Sequence, residues 1–512
     1  MTLQATQNKQ GSREGLLEFT REIQQQHKVR ASSKERRVRG QVFTPSSIAA
    51  FMAGLLRTPP KHLRVLDPGA GTGVLSAAIC ERILGLRSSR RIEFVCFETD
   101  PGVLPLLDEN MRRCCKLLHA AGHEMTYKIE EADFVLQNCP RFGQETLFGD
   151  GLLHHSFDAA IMNPPYFKLN TNSAHARAFE HIIHGQPNIY ALFMATAATM
   201  LRPCGQLIAI TPRSFCNGLY FRQFRRWFFE RMALRHIHLF ESRTETFKDA
   251  GVLQESVITH CEKTSQGEQT VSVSTSHGSD LDGADDASMY AANRIIHDRN
   301  SDFVIRIPGN SADAKIMDTV EAWSSTFVER GLRISTGPVV TFRATQYLLD
   351  NADDPDAVPL LFPHNVRPFE TRWPFPKNGK PMAFRACDGS EKLLLDAKNY
   401  VLLRRFSAKE EHRRLTASSL LPDRSDWPTR IAIENHLNYI YLARRNLTEA
   451  ETIGLTAVFN SALLDRYFRT VSGNTQVNAT EIRAMPFPSL EEIAQIGAAV
   501  KELDLNNRAE VE

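Results

Sequence analysis

Apolar positions in the first half of the chain alternate between two spacings. Residues 48–56 repeat them at helical spacing, 64–67 form the short run typical of a buried strand, and 74–84 return to helical spacing. Residues 92–100 read as a strand ending in acids, followed by a helix over 101–118. Two more strands are predicted at 127–134 and 157–166, then a helix at 189–201 and a strand at 206–212. Strands and helices alternating at this spacing pack as a parallel sheet covered on both faces. Ligands of such sheets sit at the carboxyl ends of the strands. The pattern fades over 269–288, which is rich in Ser, Asp and Gly, and a domain boundary is placed there. Residues 290–490 are less regular, with many Pro and Arg; the best helices are 314–323 and 454–471. The chain divides into a helical, then basic leader (1–39), an α/β domain (40–285), a mixed α+β domain (286–490) and a tail (491–512).

Composition narrows the class. With 512 residues, 42% hydrophobic and 23% charged, there is ample apolar material for large cores. No run approaches the roughly 18 apolar residues of a membrane-spanning helix. The polar first 40 residues lack the apolar segment of a secretory signal. Nine cysteines without a CxxC pair argue against a disulfide framework or a zinc ribbon. The expectation is a reduced, cytoplasmic protein with no membrane contact. Net charge is +2, from 61 Lys and Arg against 59 Asp and Glu, which excludes a histone-like polycation. It leaves nucleic-acid binding open, because the distribution of charge matters more than its sum. Six basic residues (Lys28, Arg30, Lys34, Arg36, Arg37, Arg39) face one acid, Glu35, in the leader. Five Arg lie among aromatics at 221–236, and four Arg and one Lys lie at 404–414. About half of each later cluster reads as salt-bridged surface and the rest as a phosphate-contacting stripe.

Four motifs carry chemistry. Asp67-Pro68-Gly69-Ala70-Gly71-Thr72-Gly73 joins a strand to a helix, letting backbone approach a ligand closely. It is not the dinucleotide fingerprint, because the helix starts directly after the third glycine, nor a P-loop, because no Lys-Ser/Thr pair follows. A nucleoside without a phosphate chain fits better. The next strand ends in Glu98 and Asp100, either of which could accept hydrogen bonds from ribose hydroxyls; alone, it would read as an ordinary strand-end acid. Asp133-Phe134 sets an acceptor beside an aromatic, which suits an adenine ring. The fourth motif, Asn163-Pro164-Pro165-Tyr166, decides the reading. The prolines fix a rigid turn that presents carbonyls only. The Asn163 side-chain oxygen and the Pro164 carbonyl can hold both hydrogens of one exocyclic amine, localising its lone pair and aiming it at an electrophile. Tyr166 gives the base a face to stack on.

In this order the motifs resemble the S-adenosylmethionine-dependent DNA amino-methyltransferases, in the gamma arrangement of the TaqI type. The resemblance implies a Rossmann-like methyltransferase sheet over 40–285 and a target-recognition, DNA-binding domain over 286–490. Gln41-Val42-Phe43-Thr44-Pro45 is similar to the family's cofactor-lid motif, so Thr44 would touch the methionine end of S-adenosyl-L-methionine. The same resemblance implies that Asp67 and the turn residues Gly69, Ala70, Gly71 and Gly73 cradle the methionine moiety. Glu98 would take the ribose, Asp133 and Phe134 the adenine, and Asn163 and Pro165 would border the cofactor. Residues 247–259 resemble the stretch that gives a flipped base its second aromatic wall, which makes Phe247 the candidate beside Tyr166. Residues 403–415 and 472–488 are similar to segments of the PstI/BsuBI restriction-modification adenine methylases. The resemblance implies double-stranded DNA as substrate, no metal, a monomer, and functional pairing with a restriction endonuclease without a stable complex.

Rival readings exist for the same residues. A cytosine C5-methyltransferase would need a nucleophile such as Cys204 in Pro203-Cys204-Gly205, but that turn follows the amine-holding motif. Cytosine N4 chemistry shares the geometry, often with Ser in place of Asn163. RNA and protein-glutamine methyltransferases use similar turns, in typically shorter chains. Pro355-Asp356 with Asp396-Ala397-Lys398 loosely echoes a nuclease metal site.

Overall fold

The computed structural model describes residues 15–30, 43–57, 59–138, 156–183, 188–241, 255–264, 269–279, 287–297, 302–407, 411–424, 427–473 and 476–502, with Gly185 and Leu281. It divides into two compact units, Met1–Gly309 and Asn310–Glu512.

The first unit opens with α1 (Leu16–Arg30), α2 (Ser46–Leu55), β1 (His62–Pro68), α3 (Val74–Leu84), β2 (Arg91–Phe97), α4 (Leu104–Ala120) and β3 (Glu124–Glu130). It continues through α5 (Phe134–Asn138), β4 (Phe157–Met162), α6 (Ala174–Ala178), α7 (Ile189–Met200), β5 (Leu201–Pro212), α8 (Arg222–Phe229) and β6 (Met232–Phe240). It closes with β7 (Ser256–Lys263), β8 (Thr270–Ser276), β9 (Ser288–Ala291), α9 (Ala292–Ile295), β10 (Ile296–His297) and β11 (Val304–Ile305). Strands β1 to β9 form one sheet in the order β3-β2-β1-β4-β5-β7-β6-β8-β9. β1 to β5 run parallel, while β7 runs antiparallel to both β5 and β6. This is the Rossmann-like class expected from the alternation. The order reverses between β1 and β4, the switch point where open α/β sheets hold ligands. All six residues of β4 are buried. Val65, Ala159, Ile161 and Ile208 pack into one core with α2, α3 and α4, while the alternate residues Leu66, Ala160 and Met162 are buried on the other side. Burial on both faces is what makes such strands near-continuous apolar runs.

Several boundaries move, each for a local reason. The sheet continues past 285, because β9 pairs with β8, so the first unit reaches Gly309. The leader is not separate: α1 packs on α3 and α4, with Leu16 and Ile23 buried. The strand expected at 127–134 stops at Glu130, because Asp133 caps α5 through the Leu136 N–H at 2.8 Å. The strand expected at 157–166 stops at Met162, before prolines that cannot donate to a ladder.

The second unit contains α10 (Ser311–Glu321), β12 (Ser325–Thr326), β13 (Leu332–Thr336), β14 (Leu348–Leu349), β15 (Ala357–Leu361), β16 (Phe369–Glu370) and β17 (Ala383–Arg385). There follow β18 (Leu394–Asp396), β19 (Tyr400–Arg404), β20 (Ala417–Leu420), β21 (Arg430–Ile433), β22 (Leu437–Leu442), α11 (Glu449–Asn460), α12 (Ala462–Val471), α13 (Ala479–Ala484), β23 (Pro486–Phe487) and α14 (Leu490–Glu502). Two five-stranded sheets, β13-β22-β19-β20-β16 and β14-β17-β15-β21-β18, carry the mixed α+β character. The helix expected at 454–471 is two helices. Ser461 is extended (φ −70, ψ 145) and its side chain accepts the Leu464 N–H, starting α12 afresh. The expected tail is α14, packed on α11 with Ile493 fully buried. A Cβ at Gly454 would lie 1.8 Å from the Ile493 carbonyl oxygen, and one at Gly497 1.8 Å from that of Ala450, so two glycines set this contact.

Candidate active site

The carboxyl ends of β1 and β2 carry one group of polar side chains, and the carboxyl end of β4 carries another. Asp67, in β1, is fully buried; Ser76 Oγ of α3 donates to its Oδ2 at 2.6 Å, and Oδ1 has no hydrogen-bond partner. Burial pushes its carboxyl up to about 7, against the lowering effect of Ser76. The turn that follows bends through Gly69, Gly71 and Gly73, at φ 73, 56 and 81, where only glycine rests without strain. Its amides are held from the next strand. Gly69 and Ala70 donate to the Phe97 carbonyl at 2.9 and 2.9 Å, and Gly71 donates to Glu98 Oε2 at 2.9 Å. Glu98 Oε1 accepts the Thr99 and Asp100 amides at 2.8 and 2.9 Å. Asp100 accepts the Gly102 amide instead, so of the two acids it is Glu98 that meets the glycine turn.

Asp133 and Phe134 lie beyond β3. Phe134 is buried between Phe97 and Phe193, with ring centroids 5.1 and 5.3 Å away. Asp133 has both oxygens engaged: Oδ1 caps α5 and Oδ2 is 2.9 Å from His175 Nε2 of α6. Burial raises its pKa, but the bonds from His175 and from the backbone of α5 outweigh it and hold the carboxyl below its ordinary value.

Asn163 follows β4 directly. Its Nδ2 donates to Thr44 Oγ1 at 3.0 Å, which fixes the amide orientation and turns Oδ1 away from Thr44. Oδ1 accepts the Tyr166 hydroxyl at 2.6 Å, and the same hydroxyl reaches the Ile210 carbonyl of β5 at 3.1 Å. An amide oxygen has two lone pairs and can accept from more than one donor. Burial pushes the Tyr166 phenol well above its ordinary range, so it stays a neutral donor. Tyr190 of α7 stands edge-on to it at 6.4 Å. Pro164 is buried and Phe167 half-exposed at 39%. The turn can therefore hold a flat amine donor beside an aromatic.

The structure brings Thr44, Asn163 and Tyr166 into one hydrogen-bonded group, and Asp67, the glycine turn and Glu98 into another. Phe247, the basic residues of 31–39, and Gln41 and Val42 lie outside the described residues. Sequence reading missed the supports. Thr20 of α1 donates to Asn110 Oδ1 at 3.1 Å, and Asn110 Nδ2 donates to the Thr72 carbonyl in the glycine turn at 2.8 Å. Gln24 of α1 donates to the Thr44 carbonyl at 3.5 Å. Arg213 and Glu255, both buried, pair at 3.2 Å where β5 ends and β7 begins. None has a local signal, since polar residues in helices or beside strands read as surface. Cys204 lies in the amino-terminal half of β5, away from the strand's carboxyl end. Asp396 pairs with Lys398 at 3.3 Å and Arg430 at 3.4 Å.

The residues present fit a methionine-bearing nucleoside. A buried carboxylate oxygen without a partner, beside a turn with glycine at 69, 71 and 73, is complementary to a compact cationic group. The family model for the Eco57I restriction-modification methylase matches residues 109–247. The chain is 32% identical over 465 residues to the Type II methyltransferase M.PstI of Providencia stuartii, covering 90% of this chain and 89% of that protein. It is 34% identical over 477 residues to the Type II methyltransferase M.BsuBI of Bacillus subtilis, covering 92% of each. Among solved structures, the DrdV–DNA complex aligns at a TM-score of 0.48 and 14% identity, covering 90% of this chain and 57% of that one. Identity of this level along nearly the whole chain, in both units, means that the protein belongs to the Type II restriction-modification methyltransferases.

Proposed function

We propose that the chain transfers a methyl group from S-adenosylmethionine to the N6 amino group of adenine within a specific duplex DNA sequence, as the modification enzyme of a restriction-modification system. The observation that carries this reading is Asn163, held by Thr44 and Tyr166 at the carboxyl end of β4. Asp67 and the turn through Gly73 would hold the methionine end, Glu98 the ribose, and Phe134 the adenine side. The cofactor supplies a methyl carbon made electrophilic by a sulfonium sulfur, which departs with the C–S electron pair. The target base must leave the duplex to reach this edge, and stacking on Tyr166 offsets part of the few kcal/mol of unstacking. Asn163 Oδ1 and the Pro164 carbonyl accept the two amine hydrogens, so the nitrogen lone pair points out of the base plane. After transfer, the extra proton leaves to water.

The test is methyl transfer from labelled cofactor to duplex DNA, followed by nucleoside analysis. The expected product is N6-methyladenine, without added magnesium; N4- or C5-methylcytosine would refute the adenine assignment. Asn163→Ala should lower single-turnover transfer by about 10²- to 10³-fold with cofactor affinity retained, the loss typical of one positioned acceptor or donor. Cleavage of unmodified DNA by the chain alone, with magnesium, would replace this reading with a combined modification and cutting enzyme.

A further inference from the structure

The second unit carries an aromatic surface whose cations are not neutralised. Phe342, in the loop after β13, is 74% exposed, the highest value among the exposed large hydrophobic residues described. The Arg343 guanidinium sits over its ring at 5.4 Å. At the end of β19 the arrangement repeats: Arg405 lies 5.7 Å over Phe406, itself 39% exposed, and His436 meets the same ring at 5.0 Å. The backbone brings these segments together. Val339 pairs with Glu434, the Asn435 amide donates to the Val339 carbonyl, and Arg405 Nη1 donates to the Asn435 carbonyl at 3.1 Å. A third pair, Arg367 over Phe375 at 5.2 Å, lies alongside, because Arg404 reaches the Val366 carbonyl at 3.0 Å.

The arginines of this surface keep their charge. Among the described residues no ion pair joins Arg343, Arg367 or Arg405 to a carboxylate. Glu434 is 3% exposed and accepts from both His436 Nδ1 and the His436 amide. Two exposed acids lie nearby: Glu411, which acts on Arg404, and Glu370, which pairs with Arg372. A guanidinium stacked on a ring keeps its planar fork free at the edges, the geometry that grips phosphate oxygens. An aromatic this exposed gains nothing in isolation; it suits a partner offering sugar faces or base edges between the phosphates.

We infer that the surface formed by Phe342, Arg343, Arg405, Phe406 and His436, flanked by Arg367, is the duplex-contacting face of the second unit. In it the arginines grip phosphates and Phe342 enters a groove to sense the bases. The inference rests on the reading of duplex DNA as substrate.

The experiment uses the full chain with cofactor and two duplexes, one carrying the site mapped by modified-base sequencing and one scrambled. Arg343→Ala and Arg405→Ala should weaken binding to both duplexes alike and lower the slope of log affinity against log salt by about 1 each. Arg343→Lys should keep most of that slope. Phe342→Ala should reduce discrimination between the duplexes by about tenfold with little change in the slope. Cofactor affinity should stay at the wild-type value throughout, and so should the melting temperature of the Phe342 and Arg343 variants, whose side chains are exposed. Wild-type slope, affinity and discrimination in all these variants, while the parent methylates DNA, would refute the inference alone. A parent that neither binds nor methylates duplex DNA would refute the underlying reading with it.

Discussion

At the scale of single residues, the site joins one buried acid in need of a cation with one amide whose orientation is imposed. Asp67 is complementary to a ligand rather than to the empty fold, and its pKa of about 7 makes that measurable. A carboxyl raised above its ordinary 3.8 penalises the folded state as pH rises from about 4 to about 7, and the penalty stays above that. Asp67→Asn should therefore raise the melting temperature of the cofactor-free protein at pH 8. In the parent, cofactor affinity should fall as pH drops below about 7, by up to about tenfold per pH unit, and in Asp67→Asn it should be weak and flat. Calorimetric titration at pH 6, 7 and 8 reads both effects. A parent affinity independent of pH would place the cation elsewhere. Asn163 differs in kind: its place at the end of a strand was legible from a four-residue motif, but Thr44, which sets its amide, lies 119 positions away.

At the scale of elements, side-chain-free contacts decide where helices lie. Residues 491–502 look polar and terminal in sequence, yet α14 closes the second unit's core through Gly454 and Gly497. Gly454→Val has no room against the Ile493 carbonyl and should cost about 1–3 kcal/mol, read as a lower urea midpoint for the second unit. An unchanged midpoint would mean that α14 shifts freely. Helix α1 likewise fell within the segment read as a separate basic leader. Only the packed structure reveals that Leu16 and Ile23 are buried, and that Thr20 and Gln24 brace the glycine turn and Thr44.

At the scale of the whole molecule, acid sensitivity comes from one sheet. His236 and His238 of β6 form an unbroken chain of hydrogen bonds with Ser272, Ser274 and Ser276 of β8, and His260 of β7 bonds Gln206. Burial lowers their pKa values to about 4, 3 and 3 from the ordinary 6.5. A histidine whose folded pKa is depressed contributes fully above about 6.5, and that stability is lost as pH falls toward 4. The unfolding free energy from urea titration should drop between pH 7.5 and 5, by about 1–2 kcal/mol per histidine, and that of His238→Gln should drop less. Equal loss in parent and variant would assign the effect to other groups. The same scale explains the near-zero net charge: buried acids such as Asp67 sit in the first unit, while cations without carboxylate partners line one surface of the second.

The class of fold, the glycine turn after β1 and the proline turn after β4 followed from the sequence itself. Strand–helix alternation is local, and the glycine turn and the Asn-Pro-Pro-Tyr turn each encode their geometry in adjacent residues through fixed dihedrals. What the tertiary structure alone decided depends on residues far apart in the chain. Glu98 rather than Asp100 meets the turn because of which amides each can reach, and Asp133 is engaged by His175 from a later helix. The boundary at Gly309, the incorporation of α1 and α14, and the exposed pairing of arginine with phenylalanine were equally hidden. Burial and partner choice are properties of the packed chain, where apolar surface and unpaired charge acquire their energies.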